Sequence, residues 1–200
     1  MSESFALTPD NKAKADAFIA RYPEGRQASA VLAVLDIAQR QNGGWLSPAA
    51  VEHVADMLDM AQIRIYEIIS FYEMLHAEPV GKHMVRVCTT TPCMLRGSTD
   101  ILEACKGELG VEVGETTGDG KFTLTEFECL GACVNAPIVW IDNDYYEDLD
   151  PEKTVAILKA FRAGERPEAG SQIGRRGSEP VGDWTSLTEF AAPGGVGEGA

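Results

Sequence analysis

Four of the five cysteines stand in two close pairs. Cys88 and Cys93 lie in VCTTTPC, a C-x4-C spacing, and Cys129 and Cys133 lie in ECLGAC, a C-x3-C spacing. Thiolates are soft ligands, and four of them carried on two loops suit either Zn²⁺ or an iron–sulfur cluster. Two features favour iron, in the form of a [2Fe–2S] cluster. The segment carrying the cysteines has enough apolar strand to fold without a metal staple, which most zinc ribbons and knuckles do not. Its loops also put small residues beside the ligands, Gly131 and Ala132 in one and a run of threonines in the other. Backbone N–H groups can then approach sulfur and help set a reduction potential. Structural zinc stays open. A redox disulfide is the weaker third reading, because neither pair has the C-x-x-C spacing at a helix start that lowers a thiol pKa.

The remaining candidates carry less chemistry. Cys105 shares a helical face with Ile101, Leu102 and Leu109 and reads as a small apolar core residue. His53, His76 and His83 are isolated, and His83 reads as a surface or interface residue. No acid–base constellation is visible, so no catalysis is expected from the isolated chain. No Gly-rich phosphate loop follows a strand, so nucleotides would bind on another chain. Across residues 80–163 acids outnumber bases 14 to 8, with Glu126, Glu128, Asp142 and Asp144 read as lying at the cluster edge and Arg86 and Arg96 opposing them. Negative charge resists reduction, which predicts a low-potential one-electron centre, roughly −400 mV.

Three zones along the chain position these residues, and together they predict an α+β fold. Residues 1–78 read as a helical bundle domain. Thr8-Pro9 and Ser47-Pro48 are helix starts, Asn42-Gly43-Gly44 is a stop, and Ala30, Val31, Val34, Leu35 and Ala38 repeat at helical spacing. Residues 79–163 change period. Strands are expected at Met84–Cys88, Val111–Glu115, Phe122–Cys129, Ile138–Ile141 and Tyr145–Leu149, with helices from Ser98 to Leu109 and after Asp150-Pro151. That order, β-α-β-β-β-β-α, predicts an α/β sandwich on a mixed sheet. Each cysteine pair begins where a strand ends, so neighbouring strands running the same way would bring the two loops together. Residues 164–200 hold nine Gly and three Pro and cannot build a core. They read as an extended tail whose Trp184, Leu187 and Phe190 dock on a partner.

Charge and hydropathy exclude several function classes. The 200 residues carry 17 basic and 31 acidic side chains, a net charge of −14, which is ill suited to phosphate backbones or anionic lipid. The longest nearly apolar run, Ala28 to Ile37, contains Ser29 and Asp36 and is half of a membrane span. The first ten residues show neither a basic start nor an apolar stretch, so no secretory signal is expected. The helix pair between Ser47 and Ser70 has the outline of a helix-turn-helix, but Glu52, Asp56, Asp59 and Glu67 face only Arg64 there, and phosphate would repel it.

Four stretches carry a resemblance. GGWLSPAAVEHVADML, IYEIISFYEML, EPVGKHMVRVCTTTPCMLRGS and FECLGACVNAPIVWIDNDYY closely resemble the thioredoxin-like [2Fe–2S] ferredoxin family, in the form of the E subunits of NADH:quinone oxidoreductase, respiratory complex I. The resemblance covers residues 8–163, and GRRGSEPVGDWTSLTE in the tail resembles the same members. It implies a thioredoxin-like domain at 79–163 behind the helical domain, with one [2Fe–2S] cluster on Cys88, Cys93, Cys129 and Cys133. It implies a flavoprotein partner subunit holding FMN and the NADH site, and further peripheral-arm subunits. No nucleic acid and no direct membrane insertion are expected. The implied location is cytoplasmic, at the inner face of the bacterial plasma membrane through the complex. Related subunits serve NAD-linked formate dehydrogenases and hydrogenases.

Overall fold

A computed structural model of the chain describes residues 4–182 and Ser186. They fall into two compact units. One runs to Met84 and takes in Gly114–Thr123; the other comprises Val85–Val113 and the chain from Leu124 onward.

The first unit is helical. It contains α1 (Pro9–Ile19), α2 (Val31–Gln41), α3 (Pro48–Leu58) and α4 (Gln62–Phe71). The Thr8 and Ser47 hydroxyls accept from the N–H groups of Asn11 and Ala50, satisfying helix-start donors that would otherwise lack partners. Val34, Leu35, Ala38, Leu46, Val51, Val54 and Ile65 form a fully buried core, each branched side chain contributing about 1.5–3 kcal/mol. Gln39 is one of the buried polar groups here. Its amide donates to the Met74 carbonyl at 2.9 Å and accepts from the His76 N–H at 2.8 Å, fixing the chain where it leaves α4.

A five-stranded sheet follows in the order β2-β1-β3-β4-β5. Its strands are β1 (His83–Cys88), β2 (Phe122–Phe127), β3 (Val139–Ile141), β4 (Asp144–Glu147) and β5 (Gly170–Ser171). The His83 N–H bonds to the Lys121 carbonyl and the Thr89 N–H to the Phe127 carbonyl, so β1 and β2 advance together in the same direction. β3 is antiparallel to both β1 and β4, while β4 and β5 are parallel. The sheet is therefore mixed, as expected. In the second unit α5 (Thr91–Leu95) and α6 (Ser98–Leu109) follow β1, and α7 (Pro151–Ala163) packs on α6. Asp150 caps α7 through the Lys153 N–H, and Gly164 ends it at φ +87°.

The element order departs from expectation in three places. Val111–Glu115 forms no strand: Gly114 turns the chain at φ +88°, and only an isolated bridge joins Thr116 to Thr123. The five-residue α5 occupies the first cysteine loop. The start of the tail is built into the second unit, where β5 pairs with β4 through Tyr146–Gly170 and Glu147–Ser171. Trp184, Leu187 and Phe190 lie outside the described residues.

Candidate metal centre at the ends of two parallel strands

Cys88 is the last residue of β1, held there by its N–H to the Ile138 carbonyl at 3.1 Å. The chain then turns into α5. Thr90 is the N-cap, but its hydroxyl caps nothing; it lies 3.4 Å from the Cys88 sulfur. Cys93 sits inside α5, and Cys88 and Cys93 are each 1% exposed. Ala136, Ile138, Leu130, Ala132 and Tyr145 pack around them.

The second loop leaves β2 at Phe127, beside Thr89. Gly131 takes φ +80°, a conformation open to glycine at little cost. The loop ends in the short 3₁₀ turn Cys133–Asn135, and the peptide after it, Ala136–Pro137, is cis. Cys129 and Cys133 are exposed, with their sulfurs 3.5 Å apart. Two thiolates on one tetrahedral metal at about 2.3 Å would lie about 3.8 Å apart. Cys88 and Cys93 likewise interact thiol to thiol. Each pair feels the other: Cys93 responds to Cys133, and both Cys129 and Cys133 respond to Cys88.

Among the described residues no three His, Cys, Asp or Glu side chains converge on a single point. The four thiols form two neighbouring pairs instead, and a two-iron rhomb takes two thiolates at each iron. Backbone donors complete the fit. The Leu130 N–H favours the thiolate of Cys88, the Gly131 N–H that of Cys129 and the Ile138 N–H that of Cys93. Burial pushes the Cys88 thiol up, but the Thr90 hydroxyl and the Leu130 N–H outweigh it and leave Cys88 below its ordinary value. The Gly131 N–H holds Cys129 down in the same way. Burial, and then the Cys88 neighbour, push Cys93 up to about 12. Donors that favour the thiolates and soft ligands in pairs suit a [2Fe–2S] cluster.

Cys105 is wholly buried in α6, its thiol pushed up to about 12 by burial, and it stands apart from the two pairs as an apolar core residue. His83 is not at the surface. It is 9% exposed, its ring 5.5 Å from that of Phe122, about 16 Å along β1 from Cys88. Asp142 and Asp144 also differ from expectation. β3 runs antiparallel to β1, so these residues lie at the sheet end opposite Cys88, where Arg166 bonds both at 3.2 and 3.4 Å. Glu126 does lie near the site, its carboxylate accepting from the Thr89 hydroxyl. Arg86 is buried, its guanidinium 4.2 Å over the Trp140 ring. Thr90 escaped notice in the sequence, although a threonine two residues past a ligand and two before a proline is a polar group at a helix start.

A family model described as thioredoxin-like [2Fe-2S] ferredoxin matches residues 15–162. The E subunit of the NADH-quinone oxidoreductase of Rickettsia bellii (strain RML369-C) is 54% identical over 159 residues, 80% of this chain and 95% of its own length. The mitochondrial NADH dehydrogenase [ubiquinone] flavoprotein 2 of Dictyostelium discoideum is 46% identical over 190 residues, 94% of this chain and 77% of its own. Among solved structures, an NAD+-reducing [NiFe]-hydrogenase in its air-oxidized state overlays 65% of this chain with a TM-score of 0.57 at 17% identity, and the overlay spans 23% of the hydrogenase chain.

Proposed function

Because the chain belongs to the thioredoxin-like [2Fe–2S] ferredoxin family, we propose that it is the electron-transfer subunit of the NADH-oxidising module of an NADH:quinone oxidoreductase. In this reading Cys88, Cys93, Cys129 and Cys133 hold one [2Fe–2S] cluster, and single electrons pass between it and the FMN of a flavoprotein partner, which also binds NADH. The observation that carries the reading is the placement of two thiol pairs at the ends of parallel strands, where neighbouring backbone N–H groups favour the thiolates of Cys88 and Cys129.

When bound, such a cluster takes up and returns one electron. The chain's own residues determine how that happens. Leu130, Gly131, Ile138 and Thr90 offer donors to the thiolates, favouring added negative charge. Cys88 and Cys93, buried under Ile138 and Ala136, exclude water from one side. Cys129 and Cys133 face outward and form the edge at which a partner's flavin would approach. Exposed Glu126 and Glu128 oppose reduction, supporting a potential of roughly −400 mV.

Residues 79–163 form the cluster domain in this proposal, residues 1–78 a helical domain, and the end of the tail a partner contact. No helix among the described residues is long and apolar enough to cross a membrane. Attachment to the inner face of the bacterial plasma membrane would then run through the other subunits. The hydrogenase overlay speaks for a shared fold alone, whereas identities of 54% and 46% favour the respiratory assembly over a formate dehydrogenase or hydrogenase.

The test is to purify the full chain anaerobically and measure metal, sulfide and EPR. About two iron and two labile sulfide per chain are expected, with a rhombic signal after dithionite. One zinc and no colour would end the reading. Co-purification with a flavoprotein and membrane subunits checks the assembly.

A further inference from the structure

The described part of the tail does more than cover the sheet. Arg175 is buried against Asp148, with side chains 7% and 5% exposed, and its Nε donates to that carboxylate at 3.0 Å. Nη2 donates to the other Asp148 oxygen and to the Val134 carbonyl at 2.9 Å, and Nη1 donates to the Glu179 carbonyl at 2.9 Å. Val134 is the residue after Cys133 and the centre of the 3₁₀ turn that Cys133 begins. Asn135, the last residue of that turn, is 3% exposed and donates from Nδ2 to the Gly177 carbonyl at 2.8 Å and to Glu147. Its own carbonyl accepts the Asp148 N–H at 2.7 Å. One guanidinium thus joins the residue that follows β4, the tail and the Cys133 turn.

We propose that Arg175 is a positioning residue for the cluster site: by bridging Asp148, the Glu179 carbonyl and the Val134 carbonyl, it clamps the tail onto the Cys133 turn and holds that sulfur in register with Cys129. This rests on the cluster reading above. Its action is geometric. The Asp148 carboxylate sits against the guanidinium and offsets its charge, so the directed N–H bonds remain as the means of influence. Cys133 is exposed and begins a short turn, so its placement rests on the bonds made by Val134 and Asn135 behind it. The planar fork makes three connections that a lysine ammonium on a flexible stem does not reproduce together.

The experiment compares the cluster-loaded full chain with Arg175→Gln and Arg175→Lys, and with Arg166→Gln as a control. Arg166 ties the tail to Asp142 and Asp144, away from the turn. Each protein is exposed to a ferrous-iron chelator, and each reduced form is examined by EPR. Loss of a group supporting a ligand costs about 10–100-fold in metal affinity. Iron release should therefore be at least about tenfold faster in Arg175→Gln, with broadened EPR lines as the turn samples more geometries. Arg175→Lys should recover thermal stability of the cluster-free chain while keeping the fast release. Arg166→Gln should release iron like the wild type. If Arg175→Gln does not fold, Arg175→Lys alone decides. Wild-type release and line shape in every folded Arg175 variant would overturn the inference while leaving the cluster reading intact. A wild-type chain without iron and sulfide would overturn both.

Discussion

Replacing Thr90 by valine removes one hydroxyl and keeps the shape of the side chain. Thr90 is the N-cap of α5 but makes no capping bond, so the helix loses nothing. What is lost is the contact at 3.4 Å to the Cys88 sulfur, together with an interaction reaching Cys129. A sulfur bound to iron carries no proton, so Thr90 must be the donor. A side-chain hydrogen bond contributes about 0.5–1.5 kcal/mol net. The bond strengthens when the site gains an electron, and only that increase moves the potential. Taking about 1.5 kcal/mol as its upper size, the shift for a one-electron couple is at most about 65 mV, downward. The assay is an EPR-monitored redox titration of wild type, Thr90→Val and Thr90→Ser. Serine keeps the hydroxyl and should restore most of the shift. An unchanged or raised potential in Thr90→Val would refute the assignment of this hydroxyl as a sulfur donor.

Other perturbations separate the fold from the site. Cys105→Ser places a hydroxyl in a wholly apolar position and should cost about 1–3 kcal/mol in urea denaturation, with iron and sulfide contents unchanged. Cys129→Ser should instead abolish or strongly destabilise the cluster, read from visible absorbance. Gly81→Ala would put a Cβ 2.6 Å from the Phe122 carbonyl carbon and 2.8 Å from the Thr123 nitrogen, both main-chain atoms. It should lower stability by about 1–3 kcal/mol, measured as a fall in Tm. Burial raises the Asp148 pKa, but Arg175 and Ser171 outweigh it and hold the carboxyl below its ordinary value. Its stabilising contribution is therefore full above the unfolded pKa of about 3.9 and is lost as pH falls through the folded value. Unfolding free energy of the wild type should drop below about pH 4, and Asp148→Asn should flatten that drop.

The parts of the molecule legible in the sequence were those with strong local physics. Thr8, Ser47 and Asp150 each announced a helix and each caps one. The α6 boundaries, Ser98 to Leu109, follow from an apolar face and a closing glycine. The four candidate ligand cysteines stood out because their spacing survives any detail of the loops. α5 was hidden because five residues are too few to show a helical period. Val111–Glu115 misled because alternating valines fit a strand, while Gly114 bends the chain out of one. Asp142 and Asp144 were misplaced because the direction of β3 depends on long-range pairing. Arg175 was hidden for a different reason: it is one of two adjacent arginines in a glycine-rich stretch, and its partners Asp148 and Val134 lie 27 and 41 residues away.

β5 is only two residues long, yet it bears on how the protein behaves at high concentration. The outer edge of β4 carries backbone donors and acceptors that would pair with any extended chain, including another copy. Gly170 and Ser171 occupy that edge, and the Gln172 N–H bonds to the Glu147 carbonyl. The strand that replaces β4 at the border is too short to recruit a further one. A chain ending before Gly170 would keep its cysteine pairs but present a bare sheet edge, and it would be expected to associate edge to edge. The same short segment that reaches toward the Cys133 turn thus also keeps the sheet from growing.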